Sequence, residues 1–126
     1  MNLEMELQYH VESLQDVAIV NCSGRMVRGA ALDELRRRIE QLERVRVLVL
    51  DVSAVEQLDA GGLGTLLLVR RWAMQKNAKL KLVNPPVFFR RILDATHLAS
   101  VFEISSLRDA ISILRGKECP PRFAIA

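Results

Sequence analysis

Residues 45–74 read VRVLVLDVSAVEQLDAGGLGTLLLVRRWAM, and this stretch decides the fold. Residues 45–51 form a nearly continuous apolar run, which is typical of a strand that is covered on both faces in a parallel sheet. Residues 53–61 are more polar and predict a loop. Two adjacent glycines, Gly61 and Gly62, then permit a tight turn. Residues 63–74 predict a helix, so the stretch as a whole indicates a strand, a loop, a turn and a helix.

The predicted helix has a capping residue and more apolar surface than one contact needs. Asp59 stands just before it, where a carboxylate caps free amides and suits the positive end of the helix dipole. One stripe would consist of Leu63, Leu66, Leu67, Arg70 and Met74, and a second of Thr65, Leu68, Val69 and Trp72. One stripe covers the sheet. The other is either packed beneath a neighbouring helix or presented to a partner, because monomers seldom expose a large apolar patch.

The segments on either side of this stretch predict a mixed sheet. Residues 3–10 alternate and residues 17–22 form an apolar run, with a short polar segment at 13–16 between them, so the pair predicts a β-hairpin. Residues 23–29 predict a loop bracketed by glycines. Helical spacing follows at Leu32, Leu35, Ile39 and Leu42.

The second half of the chain repeats strand and helix. Residues 79–83 and 101–104 predict short strands, with a helix between them that begins after Pro85 and Pro86. A last helix is indicated by Leu107, Ala110, Ile111 and Leu114. The fold class expected is therefore α/β: a mixed β-sheet with an N-terminal hairpin, then parallel strand–helix units, and about four α-helices. We expect residues 1–117 to form the domain and residues 118–126 to form a tail.

Parallel connection places the predicted loops 24–29 and 53–61 at one end of the sheet. Open α/β sheets usually carry their sites at this end. We therefore expect Arg25 and Arg28 to lie near Asp59 and Ala60.

Composition narrows the classes of function. The 126 residues suit a single domain, and no apolar run is long enough to span a membrane. No signal peptide is evident, so we expect a cytoplasmic protein. A net charge of +3 with 5% aromatic residues does not indicate nucleic-acid binding. We expect Cys22 and Cys119 to be a buried thiol and a tail thiol rather than a disulfide.

The sequence shows no catalytic or metal-binding constellation. His10 and His97 have no nucleophile near them in sequence, and we expect structural roles for both. Asp51, Glu56 and Asp59 are expected to be caps and solvated charges rather than cation ligands. We therefore expect neither an enzyme nor a cofactor. The glycine-rich helix start at residues 61–64 could hold an anion, which leaves a nucleotide or small-ligand sensor as an alternative.

The turn also carries a family resemblance. Residues 59–64, Asp-Ala-Gly-Gly-Leu-Gly, resemble the Asp-Ser-Ser-Gly-Leu-Gly signature of the STAS domain, found in sulphate transporters and anti-sigma-factor antagonists. Residues 50–53, 80–85 and 98–104 also fit that pattern, so the resemblance covers roughly residues 10–115. The family's phosphorylated serine falls on Ala60 and its second serine on Gly61. The aspartate of the family's Gly-x-x-Asp loop falls on Val27.

The resemblance implies a bacterial regulatory module that binds an anti-sigma factor, often a serine kinase, and so frees a sigma factor for transcription. In the family, phosphorylation of the turn serine switches binding off, since phosphate adds about −1.5 to −2 charges to a surface that must be desolvated. Without a hydroxyl at the turn, this switch is not expected here. An alternative is a STAS-like subunit of a lipid-transport or signalling complex, and a homodimer is a further possibility. The expected partner-binding residues are Arg25, Arg28, Asp59, Ala60, Gly61, Gly62, Leu63, Thr65, Leu68 and Trp72.

Overall fold

The computed structural model describes residues 6–105. In chain order the elements are β1 (Gln8–Leu14), β2 (Val17–Met26), α1 (Ala30–Glu40), β3 (Val47–Leu58), α2 (Ala60–Gln75), β4 (Lys79–Val83), α3 (Val87–Ala95) and β5 (Glu103–Ser105). Three helices thus belong to the described residues. The predicted fourth helix, the tail at 118–126 and Cys119 lie outside them.

The sheet has five strands in the order β1-β2-β3-β4-β5. β1 pairs antiparallel with β2, whereas β2–β3, β3–β4 and β4–β5 pair in parallel. In particular, Val47 stands opposite Lys79 in a parallel register. The predicted hairpin followed by parallel strand–helix units is therefore confirmed.

The connections determine which face of the sheet the helices cover. Each helix connects two neighbouring strands, and the three connections all move across the sheet from β2 towards β5. Because such crossovers are right-handed, α1, α2 and α3 lie on the same face. The main core lies there and contains Val20, Leu48, Leu50, Leu82 and Phe89. Successive strand residues point to opposite faces. Accordingly, a second buried cluster on the other face consists of Val17, Val47, Val49 and Val83.

The strands β2 and β3 are longer than predicted. β2 continues to Met26 and β3 to Leu58, so most of the two predicted loops at 23–29 and 53–61 is paired strand. β4 pairs with β3 only as far as Asp51, and beyond that point β3 pairs with β2 alone. Its polar residues there are exposed, and the apolar run therefore stops before the strand does.

The division of α2 into two apolar stripes was wrong. The buried side takes residues from both predicted stripes: Gly62, Thr65, Leu66, Val69, Trp72 and Ala73. Trp72 is only 8% exposed, and Thr65 is buried to the same extent. These two residues were expected on a partner surface, and their burial removes them from it.

This arrangement predicts opposite effects for two residues of α2. Trp72→Ala should lower the free energy of unfolding by about 3–5 kcal/mol, because it deletes a large buried side chain. Leu68→Ala should change it by no more than about 0.5 kcal/mol, because Leu68 is 44% exposed. Urea unfolding followed by circular dichroism measures both. Equal losses in the two variants would contradict this placement of the helix.

Candidate functional site

Asp59 joins two segments at the end of the sheet. Its carboxylate accepts a hydrogen bond from the Gly62 amide, with 2.8 Å between Gly62 N and Asp59 Oδ1. It also accepts the Arg28 amide, with distances of 3.2 and 3.1 Å to the two oxygens. Asp59 is the N-cap of α2, as predicted, whereas Arg28 belongs to the loop before α1, 31 positions away in sequence. We call the carboxylate with these two amides the Asp59 junction.

The junction stabilises the ionised form of Asp59. Desolvation by its surroundings would by itself raise the pKa of this carboxyl group. Hydrogen bonds from the backbone amides of Gly62, Arg28 and Gly61 and the nearby Arg28 charge act in the opposite direction. The net result is a pKa below the usual value for aspartate. The carboxylate is therefore charged at neutral pH and satisfies amides at the start of α2.

Two glycines allow the β2–α1 loop to approach this turn. A Cβ atom at Gly62 would lie 2.2 Å from the Met26 carbonyl oxygen and 2.7 Å from Leu58 Cδ1. A Cβ atom at Gly61 would lie 2.8 Å from Arg28 Cβ and 3.1 Å from Arg28 Cα. Real Cβ atoms do not approach other atoms so closely, and backbone cannot give way as a flexible side chain can. Neither position accepts a side chain without a shift of the neighbouring backbone.

The expected proximity of the two loops is confirmed for Arg28, whose amide contacts Asp59 directly. Arg25 stands beside Gln57 in the β2–β3 register, and its Nε donates to Gln57 Oε1 at 2.9 Å. A groove of about 280 Å³ borders Arg25, Arg28 and Gly29 on the side of α1. The start of α2 does not offer the free anion site considered above, because the Asp59 carboxylate already accepts the Gly62 amide there.

An apolar surface extends from the junction along the outer side of α2. Leu67, Leu68 and Met74 are 37%, 44% and 58% exposed. Ala60 is exposed at its beginning, and Arg71 is exposed beside the leucines. Leu68 and Ala60 were expected on such a surface, whereas Leu67 and Met74 were missed because they had been assigned to a different stripe. We call Ala60, Leu67, Leu68, Arg71 and Met74 the α2 surface.

Comparison with known proteins assigns the family. The model of the STAS domain matches residues 8–110. The chain belongs to the STAS domain family. In this STAS domain residues 59–64 read Asp-Ala-Gly-Gly-Leu-Gly, which differs from the Asp-Ser-Ser-Gly-Leu-Gly signature that it resembles only at Ala60 and Gly61.

Solved structures with the same fold include anti-sigma factor antagonists. One from Mycobacterium paratuberculosis is 24% identical with a TM-score of 0.75, and the match covers 91% of this chain and 99% of that one. Unphosphorylated SpoIIAA is 18% identical with a TM-score of 0.74, covering 86% and 97% of the two chains. The phosphorylated SpoIIAA of Bacillus is 17% identical with a TM-score of 0.68, covering 86% and 100%.

The hydroxyl groups nearest to the turn in sequence belong to Thr65 and Ser53. Thr65 follows the turn but is buried. Ser53 lies in β3, about 20 Å before Asp59 at the usual rise of an extended strand. Its Oγ donates to Asp51 Oδ1 at 2.7 Å, next to a carboxylate that would repel a phosphate.

Nothing in residues 6–105 indicates metal or membrane chemistry. These residues contain no group of three or more His, Cys, Asp or Glu side chains that could hold a metal ion. None of their helices is both long and apolar enough to cross a membrane. Cys22 is buried, and burial raises the pKa of its thiol to about 12, with Asp51 as a second cause. The thiol is therefore protonated and unreactive at neutral pH.

The junction predicts a specific pH dependence. Asp59→Asn should lower the free energy of unfolding by up to about 1 kcal/mol at pH 7, because asparagine can still cap the helix but its neutral oxygen is a weaker acceptor than the carboxylate. Because the pKa of Asp59 is lowered on folding, its contribution is present above the pKa of the unfolded chain. It disappears as the pH falls through the lower pKa of the folded state.

Urea unfolding of the two proteins between pH 7 and pH 2 measures this effect. The difference between wild type and Asp59→Asn should shrink below about pH 4, the ordinary range of aspartate. A difference that stays constant down to pH 2 would show that the ionised carboxylate does not stabilise the junction.

The glycines predict a matched pair of substitutions. Gly62→Ala should destabilise the protein by about 1–3 kcal/mol, because the new methyl group meets the Met26 carbonyl. Gly64→Ala, two residues further along the same helix, should be neutral or stabilising by up to about 1 kcal/mol, because no atom lies within 4 Å of the added Cβ. Thermal or urea unfolding of the two variants and the wild type measures both changes in stability. If Gly62→Ala is as stable as Gly64→Ala, the β2–α1 loop does not approach the turn closely.

Proposed function

We propose that this STAS domain is a regulatory protein-binding module in the cytoplasm. It resembles the anti-sigma factor antagonists whose structures it matches, and its partner is an anti-sigma factor or a related serine-kinase-like protein. By binding that protein, it frees a sigma factor for transcription. The observation that carries the proposal is the exposed apolar side of α2, which begins at the Asp59 junction, where the family signature has its serines.

The chemistry of the α2 surface supports protein binding. Leu67, Leu68 and Met74 together provide apolar area on one side of a helix that is held rigidly by its buried side. Exposed cations beside this area include Arg28 and Arg71, whereas the Asp59 carboxylate accepts hydrogen bonds from two amides. A complementary partner has an apolar groove with an acidic rim, because opposite charges around an apolar centre favour both orientation and association rate.

The proposed module binds its partner without a phosphorylation switch at the turn. Ala60 and Gly61 carry no hydroxyl group. Gly61 could not become a serine without moving Arg28, since the added Cβ would lie 2.8 Å from Arg28 Cβ. Ala60 is exposed, so a longer side chain is accommodated there. The junction therefore combines the capping aspartate and the close approach of two loops with a turn that has no hydroxyl group to accept a phosphate.

Affinity capture from the source bacterium tests this proposal. Immobilised wild-type protein should retain an anti-sigma factor or serine-kinase-like protein, identified by mass spectrometry. Leu68→Ser should reduce the affinity about tenfold or more, because it removes an apolar contact from the centre of the surface. Ala60→Asp should also reduce the affinity about tenfold or more, because it places an uncompensated charge in a desolvated contact.

Leu14→Ser is the matched control for Leu68→Ser. Leu14 is 60% exposed and lies at the opposite end of the sheet, so its replacement should leave capture unchanged. Phosphate on Ser53 or Thr65 of the protein isolated from its own cells, together with loss of binding, would contradict constitutive binding. Capture of transport-complex subunits through the same surface would instead favour the alternative of a permanent subunit.

A further inference from the structure

Part of the sheet is buried on the face that α1, α2 and α3 do not cover. The buried apolar residues of these three helices all belong to the main core. The second cluster, which we call the valine cluster, consists of strand residues alone: Val17, Val47, Val49 and Val83. Three of them, Val47, Val49 and Val83, are 1%, 2% and 0% exposed. Strand side chains stand away from the sheet, so valines on a bare face would remain in contact with water.

The covered part of this face is narrow. Lys81 lies between Val49 and Glu103 in the register, and only 13% of its side chain is exposed. The β1 side of the same face is open, because Leu14, the pairing partner of Val17, is 60% exposed. The cover therefore extends from β4 to the beginning of β2, a distance of about 10 Å or two strand spacings. This distance is close to the diameter of a single helix.

The position of the valine cluster favours one segment of the chain as its cover. The exposed fractions are those of a single chain, so the cover belongs to the same chain. Residues 1–5 precede Glu6, which bridges to Arg25 at the end of β2 that is farther from Val17. Residue 106, by contrast, follows Ser105, which stands opposite Val83 in the β4–β5 register. The chain therefore leaves β5 beside the cluster.

We propose that residues 106–114 pack on this face of the sheet. Their apolar side chains have helical spacing and contact the valine cluster from one side of a helix: Leu107, Ala110, Ile111 and Leu114. A helix that runs back from the end of β5 covers about 10 Å of the sheet between residues 107 and 114. The cluster has a similar length, because Val47 and Asp51, which stands opposite Val83, are about 13 Å apart along β3.

This packing gives the parallel part of the sheet a cover on both faces. β2 to β5 pair in parallel, and parallel sheets are rarely left open on either side. The valine cluster is then occupied by the chain itself and does not serve as a docking surface for another protein. The inference does not depend on the proposed function, because α2 and its exposed surface belong to the opposite face.

Thiol labelling of a Val49→Cys variant of the full chain tests the proposal. Cys119→Ser removes one natural thiol, and Cys22, which is buried in the main core on the other face, serves as an internal reference for unfolding. Adding Ile111→Asp should raise the labelling rate at position 49 about tenfold or more, because a carboxylate does not pack against valines and the cover opens locally. The rate at Cys22 should stay within about threefold, since the main core remains closed. Mass spectrometry of the labelled peptides separates the two sites.

Ser112→Asp is the matched control for Ile111→Asp. It introduces the same residue at the next position, on the side of the helix away from the apolar stripe, and should leave both rates within about threefold. If Ile111→Asp unfolds the domain and both thiols react equally fast, the milder Ile111→Ala is measured in its place. It should still accelerate labelling at position 49 more than at Cys22.

Four results would overturn the proposal. The first is an unchanged rate at position 49 in Ile111→Asp, and the second is an equal effect of Ser112→Asp. The third is an equal increase at both thiols in Ile111→Ala, which would show that residue 111 stabilises the whole domain rather than this face. The fourth is protection at position 49 that is lost on dilution of the protein, which would show that a second copy covers the valine cluster.

Discussion

The Asp59 carboxylate is the contact on which the functional end of this domain depends. An ionised carboxylate only accepts hydrogen bonds, and its two oxygens have room for several donors. Here they accept one amide from the start of α2 and one from the loop before α1. Along the chain, the whole of α1 and β3 lies between these two segments. A single side chain therefore caps a helix and holds together two crossovers of the parallel sheet.

The glycines on either side of this contact make the arrangement possible. Gly61 and Gly62 let the backbone of Met26 and Arg28 lie directly against the turn, where a Cβ atom would prevent the approach. The junction thus determines where α2 starts. The packing of the helix against the sheet and α1 then buries Trp72 and leaves Leu68 exposed.

The amino-acid sequence by itself determined the order and pairing of the elements, the helix cap at Asp59 and the lack of a hydroxyl group at Ala60 and Gly61. These features depend on local patterns, such as alternation, apolar runs and capping residues, that neighbours in sequence produce together. Only the tertiary structure decided where β3 ends and which side of α2 is buried. β3 continues past its apolar run because β2 still pairs with it, and pairing leaves no mark on residues that face solvent. α2 is apolar on nearly every side, so its periodicity does not reveal its orientation, and the packing against the sheet and α1 selects it.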